Sequence, residues 1–292
     1  MQSAKRFSEK FREYAFGKSG CMAIRIIVLM LATVCAQGVV SAKKPHVNKY
    51  RRVWTENFRG KTFDKESWSK IPRGYSDWDR HMSDYDGLYE VSGGCLKLRC
   101  MANNGVVPAD TARYITGGLY TLGKRSISYG KVEIRAKLGE AKGLWPAFWL
   151  LPEKGKWPDA GEIDIMEHLN FDSIAYQTVH SGYTFTLGFG DNPPHGATGP
   201  IKRGEFNVYA VEILPDSLVF SINGSRTFAY PRIDTPYEGQ YPFGTPFYLL
   251  LDMQIEGSWV GCADGSGMPA VTEIDWVRMY ELKQTKANHS SK

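Results

Sequence analysis

From Trp54 onward the chain reads mostly as short runs of β type, punctuated by Gly, Pro and Asn. Residues 131–138 alternate polar and apolar without a break, as a half-buried strand does. Residues 218–222 run into Asn223-Gly224, a dipeptide suited to the two-residue turn of a β-hairpin. Residues 176–180, 206–214, 247–253 and 273–282 extend the set. Few segments keep a helical period over three turns. Many short strands without intervening helices predict an antiparallel sandwich or barrel. No repeat, heptad run or low-complexity tract interrupts this texture, and no linker follows Lys43, so one domain is expected over residues 43–282 with a polar tail at 283–292. Residues 182–203, rich in Gly and Pro, are long enough for a binding loop.

One predicted strand breaks the pattern in an informative way. Glu162-Ile163-Asp164-Ile165-Met166-Glu167 places three carboxylates on one short stretch. Burying unpaired carboxylates costs several kcal/mol each, so a plain core strand would not carry them. A strand lining a cleft can, if the acids do chemistry. Glu162 and Asp164 share a face by alternation, whereas Glu167 would point the other way. A single β-bulge after Asp164 brings Glu167 back to the same side. Two glutamates then flank an aspartate, the layout of a retaining glycosidase, whose two carboxyl groups stand roughly 5–5.5 Å apart.

The N-terminal segment is of another kind. Arg25 precedes an apolar run, 26–36, and Val40-Ser41-Ala42 offers the small residues at which a signal peptidase cuts. Residues 1–42 therefore read as a signal peptide with an extended N-terminus, starting at Met1 or at Met22. The run is too short to span a bilayer comfortably. A secreted or periplasmic chain beginning near Lys43 is expected. Cys35 raises a lipoprotein alternative, although Val34 stands where a small residue is wanted.

Charge and cysteines narrow the partners. The net charge of +5 includes six Lys/Arg and two Asp/Glu within residues 1–42, so the remainder is near +1. Neither nucleic acid nor an anionic membrane is implied. Of five cysteines, three lie beyond residue 42: Cys95, Cys100 and Cys262. Cys95 and Cys100 fall on opposite faces of one predicted strand, and an odd count argues against a disulfide framework. All three are expected to be small buried residues. No Cys/His spacing suits zinc.

Gly161-Glu162-Ile163-Asp164-Ile165-Met166-Glu167, with Trp145-Pro146-Ala147-Phe148-Trp149 upstream, resembles the signature of glycoside hydrolase family 16. It is most similar to the bulged branch that includes laminarinases, mixed-linkage glucanases, agarases, porphyranases and endo-acting O-glycanases. The resemblance extends from about Trp54 to Tyr280, through residues 130–137, Thr178-Val179-His180 and Ile274-Asp275-Trp276-Val277-Arg278. It implies a concanavalin A-like jelly-roll β-sandwich with an open cleft on its concave face. By position it implies Glu162 as nucleophile, Glu167 as general acid/base, and Asp164 as the residue that orients the first and resets the second. No cofactor is required, and the expected state is a monomer.

Aromatic rings stack on the apolar faces of sugars, and eight tryptophans are many for this length. Trp157 matches the family's platform at the cleavage point. Trp259 sits where the family adds a cleft wall. For Trp145 and Trp149 both core and cleft remain open. Trp78 and Arg80, in Trp78-Asp79-Arg80-His81, form either a solvated loop or a sugar contact. Trp54, Trp68 and Trp276 are expected in the core. The resemblance draws His180 toward the site, while His168 should point away from Glu167. It also aligns Glu56, a carbonyl near Gly93 and Asp275 with a structural calcium, hard oxygen ligands for a hard cation. The implied substrate is a polysaccharide or glycan with internal β-1,3 or β-1,4 linkages. His180-Ser181-Gly182-Tyr183-Thr184 departs from the laminarinase pattern, so β-glucan and β-galactosyl glycans, mucin type included, stay open. A non-catalytic lectin-like sandwich and a transglycosylase are the competing readings.

Overall fold

The computed structural model describes residues 50–283; the signal-peptide reading, with Cys35, and the polar tail beyond Lys283 lie outside the described residues. The strands are β1 (Tyr50–Glu56), β2 (Ser69–Lys70), β3 (Tyr89–Ser92), β4 (Cys95–Ala102), β5 (Tyr114–Thr116), β6 (Gly118–Tyr120), β7 (Ser126–Ile127) and β8 (Gly130–Lys137). They continue as β9 (Leu144–Pro152), β10 (Glu162–Glu167), β11 (Ile174–His180), β12 (Gly196–Pro200), β13 (Asn207–Ile213), β14 (Ser217–Ile222), β15 (Ser225–Pro231), β16 (Phe247–Ile255) and β17 (Ala270–Leu282).

Two antiparallel sheets form a sandwich. One runs β15-β14-β13-β8-β17-β4-β3, with β1 also on β17 and β5 on β4. The other runs β12-β11-β10-β9-β16-β6-β2, with β7 also on β16. The period of two in the sequence is the period of burial. Val132, Ile134 and Ala136 of β8 face inward and meet Phe148 and Leu150 of β9 and Leu249, Leu251 and Met253 of β16 in one continuous core. Burying each such large side chain contributes about 1.5–3 kcal/mol. Asn223 and Gly224 both take positive φ (53° and 79°) in the tight β14–β15 hairpin. Among the described residues no helix is long and apolar enough to cross a membrane.

Several expectations need correction. Residues 182–203 are not a plain loop: they hold a short helical turn (Gly182–Thr186) and the edge strand β12. Trp68 is buried and Trp54 packs partly buried against the core, but Trp276 is only half-buried, with the Arg278 guanidinium 3.8 Å from its ring centre. Cys100 is buried and Cys95 half-buried, whereas Cys262 is exposed.

Candidate active site

The bulge lies after Asp164. Against β11, Asp164 pairs with Thr178 and Glu167 with Tyr176; against β9, Asp164 pairs with Trp149 and Met166 with Phe148. The extra residue turns both Ile165 and Met166 into the core, each fully buried. Glu162, Asp164 and Glu167 are left together on the outer face, where they line one cleft of about 650 Å³. A bulge removes a carbonyl from the ladder. Here buried Gln177 supplies the missing partner, its Nε2 donating to the Ile165 carbonyl at 2.8 Å, while the Thr227 hydroxyl donates to its Oε1. Gly161 precedes the strand at φ +92°, and a Cβ there would stand 2.8 Å from the Phe243 ring. Only glycine meets both demands.

Trp145, Ala147 and Trp149 alternate along β9 and share the outer face; both tryptophans border the cleft, Trp145 half-buried and Trp149 buried in a small cluster with Ile71, Met82 and Leu250. Trp145 Nε1 donates to Glu167 Oε1 at 3.0 Å, and Trp149 Nε1 to Asp252 Oδ2 at 2.8 Å. Trp149 also meets the edge of Trp78 at 4.8 Å, and Trp145 the edge of Trp259 at 5.3 Å. Trp157 is half-exposed at the Glu162 end of the cleft and packs edge-on to Phe185 at 4.6 Å. His180 lies opposite Glu162 across the ladder. Its Nε2 is 3.6 Å from Glu162 Oε1 and 3.3 Å from Asp164 Oδ2.

Of the residues singled out in the sequence, Arg80 alone among the cleft candidates lies elsewhere. Its guanidinium donates to the Glu256 carbonyl and to His81, bracing two loops. His168 is buried and directed to the Asp172 carbonyl at 2.8 Å, away from Glu167. The residues aligned with a calcium fit a cation poorly as they stand. Asp275 is ion-paired with Arg135, and Glu56 Oε1 accepts from the Phe58 amide at 2.8 Å. Gly93, at φ +63°, sits in the turn joining β3 and β4. Sequence reasoning missed Asp252, Gln254 and Phe185. Asp252 and Gln254 had a signal: they are polar residues two apart in an otherwise apolar strand, hence on one face.

The electrostatics follow from burial and crowding. Burial, then the charges of Asp164 and Glu162, holds Glu167 well above the ordinary carboxylate range. Burial, then Asp252, does the same to Asp164. Glu162 is pushed up to about 8 by burial and by Asp164, against the opposing pull of His180 and Trp157. Asp252 is pushed up to about 7 by burial, although Trp149 and Gln254 both donate to it. All four groups thus bind protons more tightly folded than unfolded. Their contribution to stability is fully present below about pH 4, the unfolded carboxylate range, and is lost as pH rises through about 7 to 8. Thermal midpoints should therefore fall, on the order of several °C, between pH 5 and pH 8.5. Asp252→Asn should flatten that slope in melts followed by circular dichroism; an unchanged slope would show that Asp252 titrates normally.

Comparison with known proteins places this geometry. The family model for glycosyl hydrolases family 16 matches residues 92–278. A keratan-sulfate endo-1,4-β-galactosidase of Sphingobacterium multivorum is 35% identical over 80% of this chain and 56% of its own length. A β-glucanase of Rhodothermus marinus is 32% identical over 82% of this chain and 87% of its own. The X-ray structure of the laminarinase from Rhodothermus marinus superposes with a TM-score of 0.73 at 27% identity, covering 82% of this chain and all of that one.

Proposed function

Because this chain belongs to glycosyl hydrolases family 16, we propose that its cleft hydrolyses internal β-linkages of a glycan chain with retention of configuration. The observation that carries this reading is the bulge, which puts Glu162, Asp164 and Glu167 on one face, lining a single cleft. Glu162, in its ionised form, attacks the anomeric carbon and forms a covalent glycosyl-enzyme. Glu167 starts protonated, as its burial among acids favours, and gives its proton to the departing glycosidic oxygen. It then takes a proton from the water that releases the sugar. Asp164, between them and 3.3 Å from His180 Nε2, orients Glu162 and resets Glu167 between the two steps. Trp157 at the Glu162 end and the Trp145–Trp259 pair at the Glu167 end give sugar rings apolar faces to pack on.

The substrate falls between two classes. The keratan-sulfate enzyme points to β-galactosyl glycans and the Rhodothermus enzyme to β-glucans. Product analysis on laminarin, barley glucan, agarose, keratan-type glycan and mucin separates them. Endo cleavage yields a ladder of oligosaccharides from the first minutes. Binding of several glycans without cleavage would replace this reading with a lectin-like one, and glycan products longer than the substrate with a transglycosylase. Export with a mature terminus near Lys43 accompanies the proposal; intact-mass analysis of secreted protein still carrying residues 26–36 would defeat it.

A further inference from the structure

Gln254 is 3% exposed, lines the cleft, and its Oε1 has no hydrogen-bond partner. Its orientation is fixed from behind. Nε2 donates to Asp252 Oδ1 at 3.0 Å, which turns the amide carbonyl away from Asp252. Asp252 is itself held by Trp149 Nε1 on its other oxygen. Across the ladder Gln254 pairs with Trp145, the residue that donates to Glu167. Ala147 stands between Asp252 and Glu167 with only a methyl group, leaving room above the sheet. An acceptor this buried is costly unless a donor reaches it.

We propose that Gln254 Oε1 accepts a hydrogen bond from the glycan in the cleft, and that Asp252 is the positioning residue that aims it. This rests on the glycosidase reading above. The ligand group is a donor on the sugar beside Glu167: a hydroxyl, or the N–H of an acetamido substituent. A site built to pair such a donor discriminates against sugars that lack it, because the acceptor is then left unpaired.

The test compares the full-length protein with Gln254→Met, Asp252→Asn and the double variant at pH 7.5. Laminarin oligosaccharides offer hydroxyls alone; poly-N-acetyllactosamine offers hydroxyls and acetamido groups. Gln254→Met should lower kcat/KM about 10-fold, the worth of one hydrogen bond, on whichever chain the wild type cleaves. Its thermal midpoint should change little, since removing the unpaired acceptor offsets the donor taken from Asp252 Oδ1. Asp252→Asn should give a similar loss, and the double variant no greater one. A loss confined to poly-N-acetyllactosamine assigns the donor to the acetamido group, and an equal loss on both assigns it to a hydroxyl. A kcat/KM within twofold of wild type, or a loss explained by unfolding at the assay temperature, overturns the inference while leaving the glycosidase reading intact. A wild type that cleaves neither chain nor any other glycan defeats the reading and the inference together.

Discussion

With azide present, Glu162→Ala is expected to convert an activated aryl glycoside into a glycosyl azide of inverted configuration, and Glu167→Ala into one of retained configuration. Removing Glu162 leaves space beneath the sugar where its carboxylate met the anomeric carbon. No covalent intermediate forms, and hydrolysis should drop on the order of 10⁴-fold or more. Azide then attacks directly from the vacated side. Glu167 has a different task. Without it, natural substrates with poor leaving groups should slow by about 10²–10⁴-fold. An aryl group departs unaided, so Glu162 still forms its intermediate. Azide, which needs no general base, releases that intermediate from the opposite face. The two outcomes follow from where the carboxyls stand relative to the sugar. Chromatography and NMR of the azide products read them directly. Near wild-type hydrolysis in both variants would remove this triad from the chemistry altogether.

Trp157→Ala should cut kcat/KM by roughly 10²-fold, the scale on which a sugar displaced by about 1 Å loses reactivity. The Trp157 ring packs beside Phe185 next to Glu162, and its presence opposes the rise of that carboxyl. Since the residue is half-exposed, its loss should leave the fold intact. Circular dichroism and steady-state kinetics on the same preparation decide the matter. An unfolded variant would make Trp157 a core residue.

The residues that alternate were easily read. Residues 131–138 and the Asn223-Gly224 hairpin announced themselves because burial on one face and a turn of positive φ each leave a local mark. The bulge was legible for a related reason: three acids at that spacing share a face only if one residue is extra. What stayed hidden depends on distant packing. Trp276 looked like core, but a guanidinium covers it on the outer face of its sheet. Arg80 read as either a solvated loop residue or a sugar contact, but the Glu256 carbonyl, far away in sequence, claims it. Cys262 was expected inside and lies on the surface. Asp252 and Gln254 sat in plain view within an apolar strand, yet their importance comes from facing Trp149, Ala147 and Trp145, a juxtaposition that only the sheet creates.

Because Ile165 and Met166 both point inward, the aim of Glu167 is set from below, by the hydrophobic interior and the Gln177 clasp, while Trp78, Trp157 and Trp259 line the cleft from loops above. Turnover is thereby assigned to the sheet, while substrate choice is shared between the sheet, through Gln254, and the loops. Loops can be exchanged to admit a new glycan without retuning the proton donor. A single methylene gained or lost beneath the sheet would instead alter speed on every substrate alike. The architecture thus leaves specificity free to drift during evolution while it holds the reaction itself fixed.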